Sequence, residues 1–192
     1  KLPDQYNSTR NILYAKGHTK QHDTLHVFIN HWPSKYGGAV KSQPKRNIAA
    51  KTLKEVSDSI LNTEKQAKII IAGDFNDGPE AESIKDLLQV KIPKDSIVNQ
   101  KLYNLSEHWL KENYGTYKYQ GQWSVIDQFI VSGSLLKSKS LKTSKEDTHI
   151  FAPSFLLEKD EKYVGEKPYR TYVGFKYNGG FSDHLPIILD LH

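Results

Sequence analysis

Apolar residues in this chain gather into short dense runs parted by turn-rich stretches. That spacing predicts strands with helices between them. Residues 11–15 (NILYA) form a first short run. Residues 24–29 (TLHVFI) are β-branched and aromatic and predict a buried strand. It ends at Asn30-His31-Trp32-Pro33-Ser34, where Pro33 stops regular structure, and Gly37-Gly38 continues the loop. A helical rhythm follows, with Ala49, Ala50, Leu53, Val56, Ile60 and Leu61 on one face and Lys51, Lys54, Glu55 and Asp58 on the other. Residues 68–72 (KIIIA) read as a strand buried on both sides. Gly73-Asp74-Phe75-Asn76-Asp77-Gly78-Pro79 is a turn, and Pro79 with its acidic neighbours opens a second helix running to about Leu88.

In the second half, residues 114–119 and 124–131 predict a hairpin around Gln120-Gly121-Gln122. Residues 137–145 predict a solvated loop, 150–157 an apolar packed segment or helix, 163–180 a long surface loop and 186–191 a final buried strand. No linker, low-complexity tract or repeat divides the chain. The expectation is one domain over residues 1–192, of α/β (α+β) class with a central sheet.

Composition narrows the function classes. The 192 residues are 37% hydrophobic and 26% charged, which excludes a disordered or collagen-like chain. The absence of cysteine excludes disulfides, thiolate metal sites and a cysteine nucleophile. No run approaches the ~20 apolar residues of a membrane span. The net charge of +5 is a mild bias toward polyanions. Methionine is absent and the chain opens on Lys1; the expectation is that a start has been removed, and the compartment, cytoplasmic or exported, is left open.

Chemistry-bearing residues cluster where the apolar runs stop: Asn30-His31, Asp74-x-Asn76, and Ser182-Asp183-His184 just before the last strand. Asp127 sits within the apolar run VIDQFIV, where an acid needs a hydrogen-bonding or cationic partner such as a histidine. Each cluster alone is also what a turn, a strand cap or a packed core histidine would give. Together, a carboxylate, an amide, two imidazoles and a second acid at strand ends make a plausible hydrolytic constellation.

The segments HVFINHWPSKYGG (26–38), IIIAGDFND (69–77), VIDQFIVS (125–132) and GGFSDHLPI (179–187) resemble the motifs of the endonuclease/exonuclease/phosphatase superfamily, in the family order. That superfamily includes pancreatic-type deoxyribonucleases, abasic-site endonucleases, inositol polyphosphate phosphatases and bacterial sphingomyelinases. The resemblance is closest to bacterial members with an N-H-W-P-S-x-x-G-G motif. It implies a four-layered α/β/β/α sandwich whose inner strands (24–29, 68–72, 124–131 and 186–191) bring their polar ends to one rim. It also implies a phosphoester substrate, nucleic acid first among the alternatives, and Mg²⁺ or Mn²⁺ as cofactor. Lipid or inositol phosphates are the rival substrates, and a catalytically impaired fragment or binding module is the rival to an enzyme.

By the same resemblance, Asp74 orients or activates water, and Asn76 holds the phosphate and helps place Asp74. His184 acts in acid/base catalysis or binds phosphate, Asp127 accepts a hydrogen bond from it, and His31 donates to a phosphoryl oxygen. Asp183 is a metal ligand, with Asp74 and Asn76 as further ligands. Asn30, Lys35 and Arg170 are candidate substrate contacts. The family also has an earlier half, carrying an Asn and a metal-binding Glu at strand ends. Residues 1–30 hold no counterpart, since Asn7 lies in a polar stretch; further along, Glu55, Glu64, Glu80 and Glu82 lie on or beside predicted helices and do not substitute. The expectation is therefore the carboxy-terminal part of a domain of roughly 250–300 residues.

Two weaker signals complete the reading. Asn7-Ser8-Thr9 and Asn104-Leu105-Ser106 match the glycosylation tripeptide. Tyr114, Tyr117, Tyr119, Trp123, Tyr169, Tyr172 and Tyr177 are numerous enough to line a stacking groove.

Overall fold

A computed structural model of the chain describes residues 10–20, 22–94, 96–111 and 114–192. Asn7 and its tripeptide lie outside them. The centre is a mixed five-stranded sheet, β1-β2-β3-β7-β4 in spatial order. Its members are β1 (Leu13–His18), β2 (Thr24–His31), β3 (Lys68–Asp74), β4 (Leu102–Asn104) and β7 (Asp127–Ser132). Only β2 and β3 run parallel, and the crossover between them is the helix α1 (Ala39–Thr63).

Each sheet face buries its own apolar set, because side chains alternate along a strand. Phe28, Ile69, Ile71 and Ile130 meet Ala49, Ala50, Leu53 and Leu61 of α1, with Ile84 and Leu88 from the segment after β3. On the opposite face, Ile70, Ala72, Phe129 and Val131 pack with Leu105, Trp109 and Leu135. Ile187 and Leu189 of β13 (Ile187–Leu189) press on that second set.

Several elements differ from expectation for identifiable reasons. The first helix starts at Ala39, ten residues before its apolar face, with Pro44 inside it. Val56 is exposed, while Ser42, Arg46 and Ser57 are buried in that helix. The expected second helix is one wide turn, Ser83–Leu87, closed by Leu88 N–H donating to Ser83 O at 3.0 Å. The hairpin pairs β5 (Tyr117–Tyr119) with β6 (Gln122–Ser124), while β7 leaves it to join the central sheet. Between β7 and the expected loop, which begins at Lys137, the chain forms the short helix α2 (Gly133–Lys137). The last strand lies outside the central sheet, where β13 pairs with β8 (Thr148–Ile150).

The stretch 157–180 is an arm rather than a loop. β9 (Leu157–Lys159) pairs with β10 (Glu166–Pro168), and β11 (Tyr172–Val173) with β12 (Lys176–Tyr177). The arm is fastened by a buried ion pair, Lys118 Nζ to Asp160 Oδ2 at 3.2 Å. Lys118 also donates to the carbonyls of Val164 and Glu166 at 2.9 and 3.0 Å. No described helix is long and apolar enough to cross a membrane.

Candidate active site

Strand register builds the site. β2 places His31 beside Asp74, and β3 places Asp74 beside Asp127. Cross-strand neighbours point to the same face, so these three residues form one polar row at the end of the apolar rows Ile29–Ala72–Phe129. His31 Nε2 lies 3.4 Å from Asp74 Oδ2. Asp127 is the first residue of β7, half-buried at the rim rather than enclosed within the strand.

His184 enters from the other end of the chain. Its Nδ1 donates to Asp127 Oδ2 at 2.7 Å, which leaves Nε2 free for another partner. One carboxylate oxygen each from Asp74 and Asp127 and one imidazole nitrogen of His184 lie within 4.8 Å of one another.

The loop after β3 is laced to both neighbouring strands. Trp32 N–H donates to Asp74 O at 2.8 Å, and Phe75 N–H to Ile126 O at 2.8 Å. Asn76 sits at φ +52°, in the left-handed region that Asn tolerates. There its backbone N–H donates to Asp74 Oδ1 at 2.7 Å, and its Nδ2 to Asp74 Oδ2 at 2.9 Å and Trp32 O at 3.0 Å. Gly73 allows the close approach behind this loop. It has φ +123°, and a Cβ there would stand 2.1 Å from the Asn30 carbonyl oxygen.

Charges in the row act on one another. Burial, then the Asp127 charge, pushes the Asp74 carboxyl above the usual carboxylate range, against the pull of the Asn76 N–H and of His184 and His31. Burial pulls His184 down, but the hydrogen bond and charge of Asp127, with the charges of Asp74 and Asp183, raise it above an ordinary histidine.

The other expected site residues fall in different places. Asn30 is buried and fully engaged: its Oδ1 accepts from Trp32 Nε1 at 2.9 Å, and its Nδ2 faces the Ala72 carbonyl. Its side chain is tied into the loop rather than open at the site. Lys35 lies 3.6 Å from Asp77 Oδ1 at the site's edge. Asp183 is exposed and outside the Asp74–Asp127–His184 cluster. Arg170 stacks over the Tyr117 ring, 5.3 Å from its centroid, and Tyr117 in turn packs on His184. Asn104 is buried and donates to Gln128 Oε1 at 2.6 Å, so it is no glycosylation acceptor in the folded chain.

Beneath the row runs a buried polar network that sequence reasoning missed. Asp77 Oδ2 lies 2.8 Å from Arg46 Nε, whose N–H points off that line, so this contact is an ion pair rather than a directed hydrogen bond. The same oxygen accepts from Ser83 Oγ at 2.6 Å and Gln43 Nε2 at 3.1 Å. Gln128 Nε2 donates to the Asp77 carbonyl at 2.6 Å. The available signals were Asp77 directly after G-D-F-N and Gln128 inside an apolar run.

The family model described as "Endonuclease/Exonuclease/phosphatase family" matches residues 1–192. The chain belongs to the endonuclease/exonuclease/phosphatase family. Its members are divalent-metal-dependent phosphoesterases. No curated protein matches the chain. Solved structures with this fold include a doubly substituted beta toxin from Staphylococcus aureus with bound magnesium ions. It is 19% identical with TM-score 0.52, over 97% of this chain and 59% of that one. SmcL is 18% identical with TM-score 0.51, over 98% and 61%. Truncated Caenorhabditis elegans TDP2 is 16% identical with TM-score 0.50, over 92% and 57%. The chain thus spans about three-fifths of the length of these structures.

The donor chemistry fits the family's cation. Asp74 offers a hard oxygen ligand suited to Mg²⁺ or Mn²⁺, Asp183 carries a further carboxylate outside the cluster, and the Asn76 side-chain oxygen accepts from nothing among the described residues. Asp127 and His184 turn facing atoms toward each other and are less available as ligands. Burial first, and then the neighbouring Asp127 charge, raises the Asp74 carboxyl, and a cation beside it would oppose that shift.

Proposed function

We propose that this protein is a phosphoesterase that uses Mg²⁺ or Mn²⁺ to hydrolyse phosphodiesters of nucleic acid. The observation that carries the reading is the Asp74–Asp127–His184 cluster with His31 on its flank. A bound divalent cation supplies neutralisation of charge on the phosphoryl oxygens.

The chain's own residues divide the remaining work. Asp74, gripped on both oxygens by Asn76, accepts a proton from the attacking water. His31 donates to a phosphoryl oxygen from the exposed end of the row. His184 Nε2 meets the substrate phosphate or the leaving oxygen, with Asp127 favouring the imidazolium. Arg170 and Lys35 add positive charge at the rim, and the net charge of +5 suits a polyanion.

A second reading, a lipid phosphoester, has one observation in its favour. No long hydrophobic hairpin is visible in the sequence, yet the short β11–β12 hairpin raises a fully exposed Phe175 between Val173 and Tyr177. It does so on the arm that carries Arg170. A panel assay of the intact protein with Mg²⁺ and with Mn²⁺ decides between them, using DNA, RNA, inositol phosphates and sphingomyelin vesicles. Turnover of DNA or RNA alone supports the nucleic-acid reading, turnover of vesicles alone supports the lipid one, and no turnover favours a binding module.

A further inference from the structure

The two members of the His184–Asp127 pair lie 57 residues apart, and both are tied to one short stretch, Gly115-Thr116-Tyr117. Leu185 N–H donates to the Thr116 carbonyl at 2.7 Å, and Tyr117 forms a lone antiparallel bridge with His184. Those contacts fix the backbone under His184. Asp127 N–H donates to Thr116 Oγ1 at 3.3 Å, which fixes the backbone under Asp127. Thr116 is fully buried. Gly115 lets the stretch pass against Ser124, since a Cβ there would stand 2.6 Å from the Ser124 carbonyl oxygen.

The side chains continue the same arrangement. The Tyr117 ring lies 4.9 Å from the His184 ring, tilted by 40°. On the Tyr117 ring also sits the Arg170 guanidinium, itself donating to the Lys118 carbonyl at 3.2 Å. Rotating the His184 ring away from Asp127 would lose the packing on Tyr117 along with the hydrogen bond. The ring of Tyr117 therefore favours the rotamer in which Nδ1 meets Asp127 and Nε2 is presented outward.

We propose that Thr116 and Tyr117 are positioning residues: they clamp the His184–Asp127 pair in its working geometry, and Tyr117 aligns Arg170 beside it. The catalytic consequence rests on the phosphoesterase reading, whereas the clamp itself does not. A mispositioned acid/base group costs rate more than affinity, and about 1 Å is enough to cost about 10²-fold.

The test uses the intact protein with Tyr117→Phe, which keeps the ring, Tyr117→Met, which fills the space without an aromatic face, and Thr116→Val. Two readouts are taken: kcat and KM on the best substrate with Mg²⁺, and the NMR signal of the His184 Nδ1–H proton. The clamp predicts that Tyr117→Phe retains both kcat and the proton signal. Tyr117→Met should lower kcat about 10²-fold with KM within a few fold, and its Nδ1–H signal should broaden or vanish. Thr116→Val should move both readouts the same way, and it decides the matter if Tyr117→Met does not fold. A Tyr117→Met protein with kcat and the Nδ1–H signal unchanged overturns the proposal. Loss of the signal in a protein whose wild type hydrolyses nothing supports the clamp and sinks the phosphoesterase reading.

Discussion

Asn76 holds both carboxylate oxygens of Asp74, one through its backbone N–H at 2.7 Å and the other through its side-chain Nδ2 at 2.9 Å. This two-point grip fixes the carboxylate plane relative to His31 and His184. Asn76→Ala removes the side-chain arm of the grip, keeps the backbone one, and leaves at φ +52° a side chain that can make no local hydrogen bond. The expected outcome is a fall in kcat of about 10²-fold with KM little changed. Steady-state kinetics with Mg²⁺ check it. A rise in KM alone would mean that Asn76 serves ground-state binding instead.

Gly73 is where β3 can pass the Asn30 carbonyl. Gly73→Ala brings both a clash at 2.1 Å and a side chain at φ +123°. Stability should drop by about 2–4 kcal/mol, measured by urea unfolding. A drop below about 0.5 kcal/mol, the range of a neutral surface change, would contradict the packing described.

The Arg46–Asp77 pair carries charge into the core beneath the site. Asp77→Ala leaves the guanidinium buried without a counter-charge and should cost about 3–5 kcal/mol. Thermal melting reads the effect. The double change Arg46→Met with Asp77→Ala should recover part of the loss, because no unpaired charge remains.

The arm over residues 157–180 should loosen in acid. Burial alone would raise the Asp160 carboxyl, but the Lys118 ammonium and the backbone N–H groups of Tyr163 and Lys162 hold it below the ordinary carboxylate range. A depressed folded-state pKa contributes stability above the unfolded value of about 3.9, and that stability is lost as pH falls through the folded value. Limited proteolysis or hydrogen exchange should show the arm protected at pH 6 and opening below about pH 4. In Asp160→Asn the arm should already be loose at pH 6, with little further change in acid.

Much of the site was legible because its residues sit where apolar runs stop. G-D-F-N and S-D-H mark such ends, and the row His31–Asp74–Asp127 follows once β2, β3 and β7 are neighbours. The contact of Asp127 with His184 could be anticipated from an acid within an apolar run, which needs a partner. Other features were hidden for physical reasons. Arg46 precedes the helical rhythm and carries no local signal of burial; only the fold brings Asp77 to it. Pro44 and the Gly37-Gly38 pair mask the start of α1, because both usually interrupt helices. β7 is apolar on both faces, so alternation could not say whether it continues the β5–β6 hairpin or joins β3. The pairing of β13 with β8 joins segments about 40 residues apart, with no local signal. The hairpins of the arm have strands of two or three residues, too short for any period to show.

The central claim is that Asp74 and its neighbours form a metal-dependent phosphoester-cleaving site. Its most direct test is metal-dependent hydrolysis of a generic phosphodiester by the intact protein and by its Asp74→Ala variant, at matched fold and concentration. The predicted result is Mg²⁺- or Mn²⁺-dependent turnover that falls by orders of magnitude in the variant. Equal turnover by the two proteins would contradict the site assigned here.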